Sequence, residues 1–147
     1  MKKIFLILLC IFVGANLGHL VRYVIVQNIP NDFPLAILFC NILGSFLLGL
    51  FYARKTANTY VIVFIGVAFL GTLTTFSTYI HDIFLILINT YKEALHLPML
   101  IQNELSSYPI TKFSVWHAIF YCLMSIVLCL ICVYLGRKLG LLFEKHE

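Results

Sequence analysis

Charge is scarce in this chain. Lys, Arg, Asp and Glu together make up 11% of its 147 residues, against about a quarter in an average soluble domain, while 62% of the residues are hydrophobic. That balance excludes an ordinary water-soluble globule, and no nucleic-acid partner is expected. Acidic residues are absent from the interiors of the apolar runs, which removes the membrane-centred carboxylate that proton-coupled export of an organic cation would use. A disulfide framework is also lacking. Cys10, Cys40, Cys122, Cys129 and Cys132 all fall inside apolar runs, where thiols act as small hydrophobic side chains. The spacing of "CLIC" at Cys129 and Cys132 resembles a redox motif, but its helix is expected to lie in lipid. There is no low-complexity tract and no short internal repeat.

What is present is length without charge. Four uncharged runs, Ile4 to Val21, Phe33 to Ala53, Thr56 to Ile80 and Phe113 to Gly136, each come close to or exceed the roughly 18 apolar residues a membrane helix needs. In lipid, backbone polar groups must be satisfied within the segment, so each run reads as a helix. The expectation is an all-α membrane protein, residues 1–147 forming one four-helix domain with helices over about 4–26, 33–53, 60–90 and 113–136. "MKK" before "IFLILLCIFVG" also resembles a signal peptide. Against that, the apolar character continues through "ANLGHLV", no A-x-A site follows, and Gly14, Gly18 and Arg22 form an i, i+4, i+8 row. The first helix is therefore expected to remain. Between the last two helices, Lys92 to Lys112 is either an interfacial amphipathic helix or a plain loop.

The third helix is too long. From Tyr60 to Tyr91 a straight helix of 32 residues would span about 48 Å, well beyond a hydrocarbon core of about 30 Å. Within it lies "GTLTTFSTY", Gly71 to Tyr79, where five of nine residues are Ser or Thr and helix propensity is low. A break is expected at Gly71 and the "TLTT" after it. Two readings stand side by side: a break that exposes backbone groups to an ion or water, or a Thr-rich packing surface whose hydroxyls bond back to the i−4 carbonyl.

Polar stripes recur on two other helices, Asn41, Ser45 and Gly49 on the second and His117, Tyr121, Ser125 and Cys129 on the fourth. Each stripe alone fits helix-to-helix glue, whereas three polar faces in so short a chain fit a lined route. Hydroxyls, amides and the ring edges of Phe76 and Tyr79 suit a small anion, while carbonyls released at a break suit a small cation.

Three motifs then bring a family into view. "GANLGHLVRY", "NILGSFLLG" and "GTLTTFSTY", in this order, resemble the first-, second- and third-helix signatures of the small bacterial fluoride channels known as Fluc or CrcB proteins. The resemblance covers all four helices. It implies a passive, fluoride-selective channel that exports cytoplasmic fluoride across the bacterial inner membrane and reduces its toxicity. It also implies four-helix subunits paired antiparallel, with two pores and a buried interfacial sodium ion held by backbone carbonyls, here those of Gly71 and Thr72. The fluoride path it implies runs past Asn41, Phe76, Ser77, Thr78, Tyr79, Tyr121, Ser125 and Cys129. Tyr79 stands where the family has a second Phe, and Cys129 where it has Ser, a stronger donor. Asp82 aligns with an acidic residue, usually Glu, near the third helix's end. Arg22 reads as a mouth or packing residue near the membrane boundary.

Fluoride is small and strongly hydrated, so a pore must replace its water with several short donors without a fixed cation that traps it. Other classes fit the same residues less well. A hydrolase built on Ser77, His81 and Asp82 fails because adjacent helical residues point about 100° apart, so no enzyme is expected. A small structural or assembly membrane protein without transport needs only packing. Charge placement bears on pairing. Lys2, Lys3, Arg54, Lys55, Arg137, Lys138 and Lys145 share one side, seven against Arg22, Lys92 and Lys112 on the other. The positive-inside rule then places both termini in the cytoplasm, which favours a homologous subunit of opposite orientation, whereas the resemblance favours an antiparallel homodimer.

Overall fold

The computed structural model describes residues 1–29, 34–53, 58–91 and 114–144. The 92–112 linker lies outside the described residues, as does the proposed amphipathic helix within it. Every described element is helical: α1 (Lys2–Asn28), α2 (Leu35–Ala53), α3 (Thr59–Val61), a π-helix (Ile62–Leu70), α4 (Gly71–Leu73), α5 (Phe76–Tyr91) and α6 (Val115–Glu144). Four spans, Lys2–Asn28, Leu35–Ala53, Thr59–Ile88 and Val115–Phe143, are long and apolar enough to cross a bilayer. α6 runs past Gly136, through Arg137 and Lys138, to Glu144. Its 30 residues make about 45 Å of helix, so it tilts or projects beyond the core.

Two of the helix contacts rely on close backbone approach. α2 lies mainly against α6, and α1 mainly against the π-helix. Gly136 of α6 faces the Phe46 carbonyl, and a Cβ there would also stand 3.0 Å from the Leu50 nitrogen. On α1, a Cβ at Gly14 would stand 2.7 Å from the Phe64 carbonyl oxygen. Small residues let membrane helices come this close where lipid offers no hydrophobic drive for association. Many large side chains point outward. Phe5, Phe12, Phe120, Leu130 and Tyr134 are all exposed, as a lipid-facing surface requires.

The third span departs from regular α-helix twice. Ile62–Leu70 is π-helical, which widens the turn and shifts the register of the residues after it. The second departure comes after Leu73. Gly71 is still helical, with φ −64° and ψ −30°, and it is Thr74 that turns extended, at φ −76° and ψ 141°. Helix resumes at Phe76. Gly71 thus keeps helical angles, and the interruption falls at Thr74 and Thr75, where the Thr74 hydroxyl donates to the Leu70 carbonyl and Asn41 pairs with the Thr75 backbone.

Candidate functional site

Thr75 is the centre of the site. Its backbone N–H donates to Oδ1 of Asn41 on α2 at 2.8 Å, and its carbonyl accepts from Asn41 Nδ2 at 3.3 Å. One side-chain amide thus takes up both backbone groups of Thr75. The Thr75 hydroxyl accepts from the Thr78 amide at 3.3 Å and lies 3.1 Å from the Thr78 hydroxyl, capping the start of α5. Ser77 Oγ lies 3.3 Å from the same oxygen. On the other side, the Thr74 hydroxyl donates to the Leu70 carbonyl at 3.0 Å, the i−4 back-bond that weakens helix continuation.

Beside Thr75 opens a groove of about 520 Å³ between α2, α5 and α6. Asn41, Phe76, Tyr79, Ser125 and Cys129 line it, so five of the eight expected path residues come together from three elements. The other three do not line it. Ser77 and Thr78 turn to Thr75 instead, and Tyr121 is buried behind the wall, its ring 5.4 Å from that of Tyr79. Ser45, Thr74 and Thr75 line the groove as well. Ser45 belonged to the α2 stripe, but nothing in the local pattern of "TLTT" distinguishes Thr74 and Thr75 from Thr72.

The donors on the wall are not equally free. Asn41 is oriented by Thr75: because Oδ1 must accept the Thr75 N–H, the amide presents Nδ2 as donor and keeps a second proton beyond the one given to the Thr75 carbonyl. Ser125 Oγ donates to the Tyr121 carbonyl at 2.6 Å, which commits its proton to the backbone. The Tyr79 hydroxyl donates to the Cys122 carbonyl at 3.1 Å. The wall therefore offers the Asn41 amide, hydroxyl and thiol groups of Ser45 and Cys129, and aromatic rings.

The remaining expected residues fall elsewhere. Arg22 on α1 donates to the Thr72 carbonyl at 2.8 Å and reaches His19 Nδ1 at 3.0 Å, so it clasps α1 to α4 outside the groove. The Thr72 hydroxyl is shared between the carbonyls of Ala68 and Ala15, at 2.7 and 3.1 Å. Asp82 is buried, 7% exposed, close to Tyr121. His81 Nδ1 is 4.0 Å from Asp82 Oδ1, and Ser77 bonds to Thr75 rather than to His81, so no triad forms.

Carbonyls at the interruption were expected to hold sodium, and the two named ones differ. Gly71 is exposed, and the Thr75 N–H one turn on is committed to Asn41, leaving the Gly71 carbonyl approached by the Thr74 hydroxyl at 3.4 Å. That oxygen fits a small cation. The Thr72 carbonyl does not, because a guanidinium already occupies it and a second positive charge there would be repelled.

A family model described as CrcB-like protein, Camphor Resistance (CrcB), matches residues 9–137 of the chain. The chain belongs to the CrcB family. Its curated relatives agree. A protein named fluoride-specific ion channel FluC from Shewanella frigidimarina is 33% identical over 143 residues, covering 95% of this chain and 96% of that one. Its namesake from Shewanella piezotolerans is 31% identical over 130 residues, 86% of each chain. Fluoride-specific ion channel FluC 1 from Carboxydothermus hydrogenoformans is 42% identical over 79 residues, 51% of this chain and 63% of that one. Within the CrcB family, then, this chain places its Asn amide, Thr cap and aromatic rings around one groove.

Proposed function

We infer that this chain is a subunit of a fluoride-selective channel, not an enzyme, that lets cytoplasmic fluoride leave passively across a bacterial inner membrane and so reduces its toxicity. The observation that carries the reading is the orientation of Asn41. Thr75 fixes the amide so that it shows the groove a donor, and a fixed donor without a fixed cation suits a small anion that must shed water and still leave. The relatives' names supply the ion. Arg22, the cation on α1 that the sequence singles out, donates to the Thr72 carbonyl and does not line the groove.

A single subunit encloses no narrow path, since a groove of about 520 Å³ is far larger than a fluoride ion. Phe76 and Gly71 are exposed beside it, which supports a second subunit closing the route. The pair is antiparallel, with either an identical copy or a homologous subunit of opposite orientation. A sodium ion at its centre would be held by the Gly71 carbonyl together with that of Thr74, the residue that stands outside both helices, from each subunit. The ion would neutralise carbonyl dipoles that face each other across the interface.

Purified protein in liposomes tests the function. Fluoride efflux without chloride efflux is the expected result, and a folded protein that passes neither ion would instead be a structural or assembly protein. Pairing is tested by single cysteines placed at Asn31 and Thr56 in a cysteine-free variant. Equal labelling from both faces, with flux by the chain reconstituted alone, means self-pairing. One-sided labelling with no flux until a homologous subunit is added means the opposite.

A further inference from the structure

Tyr79 puts a hydroxyl at the wall of the groove, one donor more than a bare phenyl ring would bring. The structure gives that hydroxyl a partner. It donates to the Cys122 carbonyl, about two turns into α6, at 3.1 Å. A carbonyl oxygen has two lone pairs, so Cys122 accepts it in addition to the helical amide of the next turn. Tyr79 is 6% exposed, and its ring stands 6.0 Å from that of Phe76 and 5.4 Å from that of Tyr121 between centroids. A phenol has one proton, and this one is committed to the backbone.

We propose that Tyr79 is a positioning residue for the ion path: its hydroxyl ties α5 to α6 and does not donate to the anion, so that Tyr79 shows the groove only ring carbons and their C–H edges. The tie lies one turn beyond the interruption at Thr74 and Thr75, and it adds a polar link between α5 and α6 ahead of the apolar contact of Leu85 and Ile86 with Ala118. Holding α5 at that point also holds Phe76, whose ring projects from the same face and is 77% exposed. Positive ring edges are presented at fixed places, and the stronger hydroxyl donor, which would bind fluoride tightly and slow its exit, is turned away. The inference rests on the channel reading, and its test separates the two.

The experiment compares wild-type protein with Tyr79→Phe, reconstituted alike, by fluoride flux at varied fluoride concentration and by amide hydrogen exchange of α6. The tie predicts a maximal flux lower by about fivefold and exchange near Cys122 to Ile126 faster by about the same factor, the size of one net hydrogen bond, with the half-saturating fluoride concentration within about twofold. A half-saturating concentration raised about tenfold at unchanged maximal flux would show the hydroxyl binding the anion, and would overturn the proposal. Unchanged flux together with unchanged exchange would overturn it too. Should Tyr79→Phe fail to assemble, replacing Tyr79 with 3-fluorotyrosine, a stronger phenol donor, reports in its place. Slower α6 exchange then supports the tie, and a lowered half-saturating concentration rejects it. Wild-type protein that carries no fluoride would end the channel reading, and the exchange arm would still decide the tie.

Discussion

α6 meets its two neighbours in different ways. Against α2 the backbones themselves touch, with Gly136 on the Phe46 carbonyl and Gly49 on the Val133 carbonyl. Against α5 contact is made by side chains: the rings of Tyr79 and Tyr121, the cluster of Leu85, Ile86 and Ala118, and the groove with its polar wall. The first contact is a scaffold, and the second borders the groove proposed as the ion route. In lipid, close glycine packing gives stability with no polar group, so the polar groups can be kept for the one side where the third span is interrupted. Function and stability therefore respond to different substitutions.

The largest effect is expected on the scaffold. Gly136→Leu drives a side chain into the α2 backbone and costs about 3 kcal/mol, so that both the thermal transition in detergent and fluoride flux are lost. A variant that melts like the parent would show that α2 and α6 are not held by backbone contact. Next comes the route. Asn41→Asp keeps an oxygen for the Thr75 N–H but replaces the donor with a negative charge, so flux falls about a hundredfold or more, while loss of the bond to the Thr75 carbonyl lowers melting by only a few degrees and the protein still assembles. Undiminished efflux from Asn41→Asp liposomes would remove Asn41 from the ion path.

Smaller effects separate the two contacts further. Prolonged exchange of sodium for a large organic cation should weaken the pair about tenfold, seen as dissociation on dilution, because an ion bound only by the assembled state stabilises it. If the dimer and the flux both survive once release of the buried ion is complete, the Gly71 site holds no sodium. Thr75→Val removes the cap on α5 and should cost about 1 kcal/mol, lowering melting by a few degrees and flux by less than Asn41→Asp does. A flux loss as large as that of Asn41→Asp would mean that the Thr75 hydroxyl itself meets the anion.

Much of the fold can be read along the chain. Runs without charge mark the spans, and the glycine and hydroxyl residues crowded into "GTLTTFS" mark where the third span is weakest. The stripes on α2 and α6 placed Asn41, Ser125 and Cys129 on helix faces that do meet at the groove. Local pattern is mute about which partner each hydroxyl and carbonyl takes. Ser77 and Thr78 sit in the signature beside Phe76, yet their hydroxyls turn to Thr75, and Thr72 carries its carbonyl to Arg22. Similar side chains along one stretch are equal in sequence and unequal once a neighbour claims one of them.

That this protein crosses a membrane as helices is written in its residues, because hydropathy and the need to satisfy backbone groups inside lipid act position by position along the chain. Which donor faces the groove depends instead on how the helices pack. Asn41 and Thr75 are 34 residues apart, Tyr79 and Cys122 are 43, and Arg22 and Thr72 are 50. Each proton goes to whichever acceptor the packed helices bring within reach, and that choice sends an Asn41 proton to the Thr75 carbonyl, the Tyr79 proton to the Cys122 carbonyl and the Arg22 guanidinium to the Thr72 carbonyl.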